Sequence, residues 1–213
     1  MVELKVLVEG GVHPNDNQNA DTVDNSASLR ESFRKLLSKG IERNEKVRIV
    51  VDMQGSYMNA AKNFKNTSKN TCLLIDLDAP PSKKEEKLLQ LKLTERKDDV
   101  FFMVQTMETW ILSQVAVLDE CYGDFRKTKL DLKQYIKLQN ADIQQIAKPD
   151  ALLNTLLFEN FEQIKGDKIK PLKYGKIKNS YLLLEKLNIN TLKKDFEDVF
   201  LLLKKIKELT VEL

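Results

Sequence analysis

The chain reads as an α/β protein: a Rossmann-like parallel sheet flanked by helices, followed by a helical C-terminal annex. Three observations predict this. Strand and helix signals alternate through the first 118 of the 213 residues, the pattern of a parallel sheet built from crossover units. The strand-like runs are continuously apolar, as in strands covered on both faces. From Asp119 onward strand signals vanish and helical periodicity takes over. The expected division is therefore 1–118 for the sheet and 119–213 for the annex. Since no Gly/Ser linker separates the two, the annex is expected to pack on the sheet.

Val2–Val8 is the first strand, and an Asn- and Asp-rich loop follows from Gly10 to about Asn25. Ser26 or Ser28 can cap a helix over 29–39, where Leu29, Phe33, Leu36 and Leu37 share a face and Gly40 supplies the stop. Residues 47–51 form a short strand ending at Asp52, and Gly55 opens a helix with Met58, Ala61 and Phe64 on one face. Residues 71–75 make the next strand, ended by Pro80-Pro81. A mobile, charged helix is expected over 83–93, a strand over 99–104 and a helix over 107–118. The annex should hold short helices at 131–138 and 142–147, then helices at 150–158, 179–187 and 192–209.

At 42% hydrophobic and 31% charged residues the chain can bury a core, which excludes a globally disordered protein. A net charge of +3 is too mild to demand a polyanionic partner. Two cysteines, Cys72 in an apolar strand and Cys121 at an element boundary, make no disulfide framework and read as thiols of a reducing compartment. Met1-Val2-Glu3-Leu4-Lys5 enters a strand directly, without a secretory signal pattern, and no apolar run is long enough to span a bilayer. The expected location is the cytoplasm.

Two acidic segments end apolar strands: Glu9-Gly10-Gly11 and Asp76-Leu77-Asp78-Ala79-Pro80. Ligands of open α/β sheets bind outside the carboxyl ends of the strands, which sets Glu9, Asp76 and Asp78 on one rim. Clustered carboxylates repel one another unless protonated or matched by a cation. Hard oxygen ligands suit Mg²⁺ (or Mn²⁺), so the leading reading is a metal-dependent phosphoryl-transfer site. Glu108 lies within a helical turn of the strand over 99–104 and joins the same rim, although a first-turn Glu also favours a helix N-terminus through the dipole. Glu9 could instead cap its loop, and Asp78-Ala79-Pro80-Pro81 also reads as a turn. Met107 and Trp110 read as core. The single histidine, His13, is a solvated loop residue or a phosphate or proton contact.

Lys165, Lys168, Lys170, Lys173, Lys176 and Lys178 crowd one segment whose only acid is Asp167. With Pro171 and Gly175 inside it, the segment reads as a loop that either tracks a phosphate backbone or merely solvates a surface. Lys168, Lys170, Lys173, Lys176 and Lys178 are the candidate nucleic-acid contacts. Lys176 or Lys178 could alternatively reach the carboxylates and neutralise a transition state.

Set out this way, the residues resemble the Toprim fold, in which a Glu follows the first strand and an Asp-x-Asp follows a later one. Glu9 and Asp76-Leu77-Asp78 match that pattern. The resemblance extends to the Toprim-like family called domain of unknown function 4276. It runs through Glu9-Gly10-Gly11, Arg30, Phe33, Gly55, Phe64 and Asp76 with Asp78-Ala79-Pro80. It continues over Val104-Gln105-Thr106-Met107-Glu108-Thr109-Trp110, Tyr122-Gly123 and Tyr174-Gly175-Lys176, and so covers most of the chain. It implies that 1–118 is a Toprim-like catalytic domain and that the protein is a nuclease working beside an ATPase in defence against phage. Glu9, Asp76, Asp78 and Glu108 would then be catalytic and metal-binding. The chain departs at Gln114, neutral where that family often carries Asp, and at Asp78, where Glu is frequent. A ligand missing at 114 would weaken metal binding.

Two other classes compete. One is a catalytically silent binding module serving an ATPase. The other is phosphotransfer on an Asp, as in haloacid-dehalogenase phosphatases, but Pro80 stands where their Thr would be and the Asp pair comes late. A Gly-rich phosphate loop ending in Lys-Ser or Lys-Thr is absent, which excludes P-loop ATP hydrolysis.

Overall fold

A computed structural model describes residues 2–11, 26–41, 47–139 and 142–211. Four parallel strands, β1 (Val2–Val8), β2 (Val47–Met53), β3 (Thr71–Asp76) and β4 (Val100–Met103), form one sheet in the order β2-β1-β3-β4. The α/β architecture with a parallel sheet, flanking helices and a helical C-terminal part is as the alternation of signals foretells. The period of two sorts the strands onto two cores. Val6, Val8, Cys72, Leu74, Phe101 and Met103 face one side, while Leu7, Leu73, Ile75, Val100 and Phe102 face the other. All six residues of β3 are buried, which explains its unbroken apolar sequence.

The second side is covered by α2 (Tyr57–Lys65) and α3 (Lys84–Leu91), through Ala60, Ala61, Phe64, Leu88 and Leu91. The first side carries α1 (Ser26–Lys39), α4 (Met107–Ser113), α5 (Val117–Tyr122), α6 (Leu132–Gln139), α7 (Pro149–Asn160), α8 (Lys176–Lys186), α9 (Ile189–Asp195) and α10 (Glu197–Val211). A single apolar cluster runs from β1 and α1 through to Ile206 of α10, so the C-terminal helices share their core with the sheet. At its centre Trp110 meets Phe33 edge-on, and Phe196 at a tilt, with both ring separations 6.4 Å.

The structure corrects several sequence expectations. Met58 is 59% exposed and Ala60 takes its place on the inner face, because the helix starts at Tyr57 with Ser56 as its N-cap. The helix expected over 107–118 breaks after Ser113, and the one expected over 192–209 breaks at Phe196, whose side chain is fully buried. Residues 142–147 hold only a 3₁₀ turn, Ile143–Gln145. The charged helix α3 is seated by buried Leu88 and Leu91. The C-terminal part also contains strands, a hairpin of β5 (Glu162–Lys165) and β6 (Lys168–Pro171). Each strand is only four residues and rich in polar side chains, so it leaves no apolar period to detect. His13 and most of its loop lie outside the described residues.

β4 is the outermost strand on its side of the sheet. The Phe102 backbone N–H donates to the Asp198 carboxylate of α10 at 3.0 Å, and Lys84 pairs with the other oxygen of that carboxylate. Asp198→Ala strands a buried amide and removes the closer of the two acids paired with Lys84. We expect a loss of about 1–3 kcal/mol in stability, read from the urea midpoint, with Asp198→Asn costing less because it keeps an acceptor.

Candidate functional site

Glu9 stands one residue beyond β1, where its backbone is fixed from both neighbouring strands. Its N–H donates to Leu74 O at 3.0 Å, and the Gln54 N–H donates to Val8 O at 3.0 Å. Gly10 and Gly55 then exchange two hydrogen bonds, of 2.9 and 3.0 Å, which clamp the turn. Gly10 and Gly11 take φ of 114° and 74°, a region open to glycine and strained for other residues. The Glu9 side chain turns back across the strand ends, and its Oε2 accepts the Asp76 N–H at 3.0 Å.

Asp76 ends β3 on the same face as Cys72 and Leu74, and is 3% exposed. Its Oδ1 accepts the N–H of Met107, the first residue of α4, at 3.0 Å. It thereby caps a helix from outside, since Thr106 makes no side-chain cap of its own. Its Oδ2 pairs with Lys176 Nζ at 2.5 Å. Glu108, 2% exposed, accepts from the Thr106 hydroxyl and from the Tyr174 hydroxyl, both at 2.7 Å.

Asp78 and Gln105, after β3 and β4, both take a left-handed φ of 55°. The Asp78 N–H donates to Gln105 O at 2.7 Å, and the Gln105 N–H donates to Ala79 O at 3.3 Å. Non-glycine residues in this region carry strain that gathers at functional rims. The half-exposed Asp78 carboxylate lies 3.4 Å from Lys87 Nζ, which also sits over the Tyr57 ring.

Glu9, Asp76, Asp78 and Glu108 thus line one open cleft of about 670 Å³ at the carboxyl ends of the parallel strands. Of the lysines singled out in the sequence, Lys173 and Lys176 line the cleft. Lys168 and Lys170 lie on the hairpin and Lys178 on the first turn of α8, all exposed. Asp150 and Asn154 of α7 also line the cleft, and nothing in their sequence context marks them. Asn154 Oδ1 accepts the Tyr174 N–H at 3.0 Å, so α7 holds the Tyr174-Gly175-Lys176 segment in place. Gln114 is not part of the cleft lining. Its amide donates to Asn188 O at 3.1 Å and accepts the Asn188 N–H at 2.8 Å, a double role that a carboxylate could not fill.

The electrostatics are those of a site short of positive charge. Burial, and then repulsion from Asp76, raise the Glu9 carboxyl to about 7, against the pull of the Asp76 N–H and Lys176. Burial raises Asp76 to about 6, even with Lys176 attached, and Glu108 adds to the rise. Burial alone would lower Lys176, but Asp76, Glu108 and Glu9 outweigh it and hold the ammonium above its ordinary value. Burial and the Glu108 carboxylate push the Tyr174 phenol well up, so it remains a hydrogen-bond donor. Lys176 and Lys178 sit in the first turn of a helix that has no acid there, which the dipole disfavours. The Asp76 carboxylate compensates.

The donor set is all oxygen, the ligand type that Mg²⁺ or Mn²⁺ takes, and burial holds two of its acids above their ordinary values. Among the described residues no group of three His, Cys, Asp or Glu side chains is placed to hold a metal ion, and Glu9, Asp76 and Glu108 each accept hydrogen bonds from the protein. No helix among the described residues is long and apolar enough to cross a membrane. No protein-family model, curated protein or solved structure matches the chain.

Proposed function

We propose that the chain is a Mg²⁺- or Mn²⁺-dependent nuclease of Toprim-like character, hydrolysing phosphodiesters of nucleic acid in the cytoplasm. The reading rests on one observation: Glu9, Asp76, Asp78, Glu108 and Lys176 converge on a single cleft at the carboxyl ends of parallel strands. Glu9, Asp76, Asp78 and Glu108 are the residues that would hold the metal. When bound, it would polarise the scissile phosphate and favour deprotonation of water. Glu9, whose carboxyl is raised by burial in the metal-free chain, would either accept the proton of the attacking water or join the metal's ligands. Lys176 offsets the charge that builds on the phosphoryl oxygens. Thr106 and Tyr174 fix both oxygens of Glu108. The exposed Lys168, Lys170, Lys173 and Lys178 hold the flanking phosphates.

Incubation with plasmid DNA, single-stranded DNA and total RNA under Mg²⁺, Mn²⁺ and EDTA tests the reading. Cleavage that EDTA abolishes is expected. Replacing Lys168, Lys170, Lys173 and Lys178 with Gln should weaken binding and flatten its salt dependence, by about 0.9 in the logarithmic slope for each phosphate no longer neutralised. A slope that does not move leaves these lysines as surface solvation.

We further propose an ATPase partner and a role in defence against phage. Apolar side chains exposed on helices of the C-terminal part, Leu182 on α8 and Phe200 and Leu201 on α10, are what such a partner would cover. Co-purification followed by sizing checks it. One observation favours a second reading, a catalytically silent module of the ATPase complex: protein donors already engage Glu9, Asp76 and Glu108. Absence of cleavage under every condition, with a stable complex after the acids are replaced, would select it.

A further inference from the structure

The segment conspicuous in sequence for its lysines is an antiparallel ribbon. Gly166, with φ 61°, opens the two-residue turn between β5 and β6. The register sets Ile164 opposite Ile169 and Gln163 opposite Lys170. Because side chains alternate along a strand, Ile164 and Ile169 share one face, while Lys168, Lys170 and Gln163 share the other. Both isoleucines are 69% exposed. A two-stranded ribbon is marginal on its own, and this one is anchored at its base. There Leu172 is buried and its N–H donates to Phe161 O at 3.0 Å, and the Gln163 side-chain amide donates to Pro171 O at 3.0 Å. The turn is open at Gly166, where a side-chain carbon would have no neighbour within 4 Å.

We infer that this ribbon is a groove-reading arm that makes double-helical DNA the substrate of the cleft. The inference rests on the nuclease reading above and extends it to substrate class. Four residues per strand give an arm about 13 Å long, and a two-stranded ribbon fits the major groove of B-form DNA, about 12 Å wide. The lysines complement the phosphate walls. The isoleucine pair faces the base edges, where thymine methyl groups offer apolar contact. The arm is also continuous with the site: Leu172 ends its base, and Lys173, Tyr174, Gly175 and Lys176 follow directly into the cleft. A single strand would call for stacking aromatics, and β5 and β6 carry none. The major groove of an RNA duplex is too deep and narrow for a ribbon.

The test compares the full-length chain with an I164S/I169S variant, both in EDTA. The probes are a short DNA duplex, one of its strands alone, and the RNA duplex of the same sequence. Circular dichroism confirms that the fold is kept. We expect the variant to bind the DNA duplex about tenfold more weakly, with an unchanged salt slope and unchanged binding of the other two probes. Equal loss on all three probes overturns the inference. So does an effect confined to association with phosphatidylglycerol vesicles or to self-association. Hydrolysis of bis(p-nitrophenyl) phosphate in Mn²⁺, a diester too small to reach the ribbon, separates the two readings. Retained duplex affinity in a variant that still hydrolyses the diester overturns the arm and leaves the nuclease. No hydrolysis by either protein, with the duplex-selective loss intact, overturns the nuclease and leaves the arm.

Discussion

Asp76→Asn should lower metal-dependent cleavage by about a hundred- to a thousandfold while the protein stays folded. The amide keeps an oxygen for the Met107 N–H that Asp76 now caps, so α4 keeps its start. What is lost is the charge that faces Lys176 and that a divalent cation needs. Asp76→Ala goes further, since it also leaves the buried Met107 amide without an acceptor. A buried amide left without an acceptor costs about 1–3 kcal/mol, so the alanine variant should also melt below the asparagine variant. Single-turnover cleavage beside a thermal melt separates the chemical loss from the structural one. Undiminished cleavage by Asp76→Asn would exclude it as an essential ligand.

The second large effect is on stability against pH. Glu9 is raised to about 7 from an ordinary 4.5, and Asp76 to about 6 from 3.8, both through burial. Acids raised in the folded state bind protons more tightly folded than unfolded. The stability they confer is complete below about pH 4 and is lost as pH climbs through 6 and 7. Lys176 stays charged throughout this window. The metal-free protein should therefore be less stable at pH 8 than at pH 5. Glu9 contributes on the order of 2 kcal/mol of the difference once its solvent-facing part is discounted. Mg²⁺ or Mn²⁺ added at pH 8 should restore much of that, since binding the folded state alone stabilises it. Urea midpoints at both pH values, with and without metal, check this, and Glu9→Gln should flatten the profile. A profile that rises with pH would remove burial of Glu9 and Asp76 as the governing feature of the cleft.

The sheet was legible because burial on both faces writes itself into sequence as unbroken apolar runs, as in Cys72-Leu73-Leu74-Ile75. The rim acids were legible for a related reason. A charge placed directly after such a run has no core role to play. Helix interruptions were harder to see. Phe196 separates two helices yet is as apolar as a mid-helix residue, because it is buried where the chain turns. The ribbon was illegible because neither of its faces is buried along its length, so no hydrophobic period marks it. Tyr174 stood out only as part of the Tyr174-Gly175-Lys176 landmark, and its bond to Glu108, across 66 residues, left no local signal. Asp150 and Asn154 belong to a helix whose sequence advertises its leucines alone.

The hydrogen bond from Phe102 to Asp198 also bears on how copies and partners can assemble. An open edge strand is a template on which another chain can lay a strand of its own. On β4 the inviting amide is already held by a carboxylate from α10, and an incoming strand would first have to displace that carboxylate together with its lysine. This side of the sheet is closed to growth by backbone pairing. Asp198 thereby guards this edge of the sheet against pairing at the Phe102 amide.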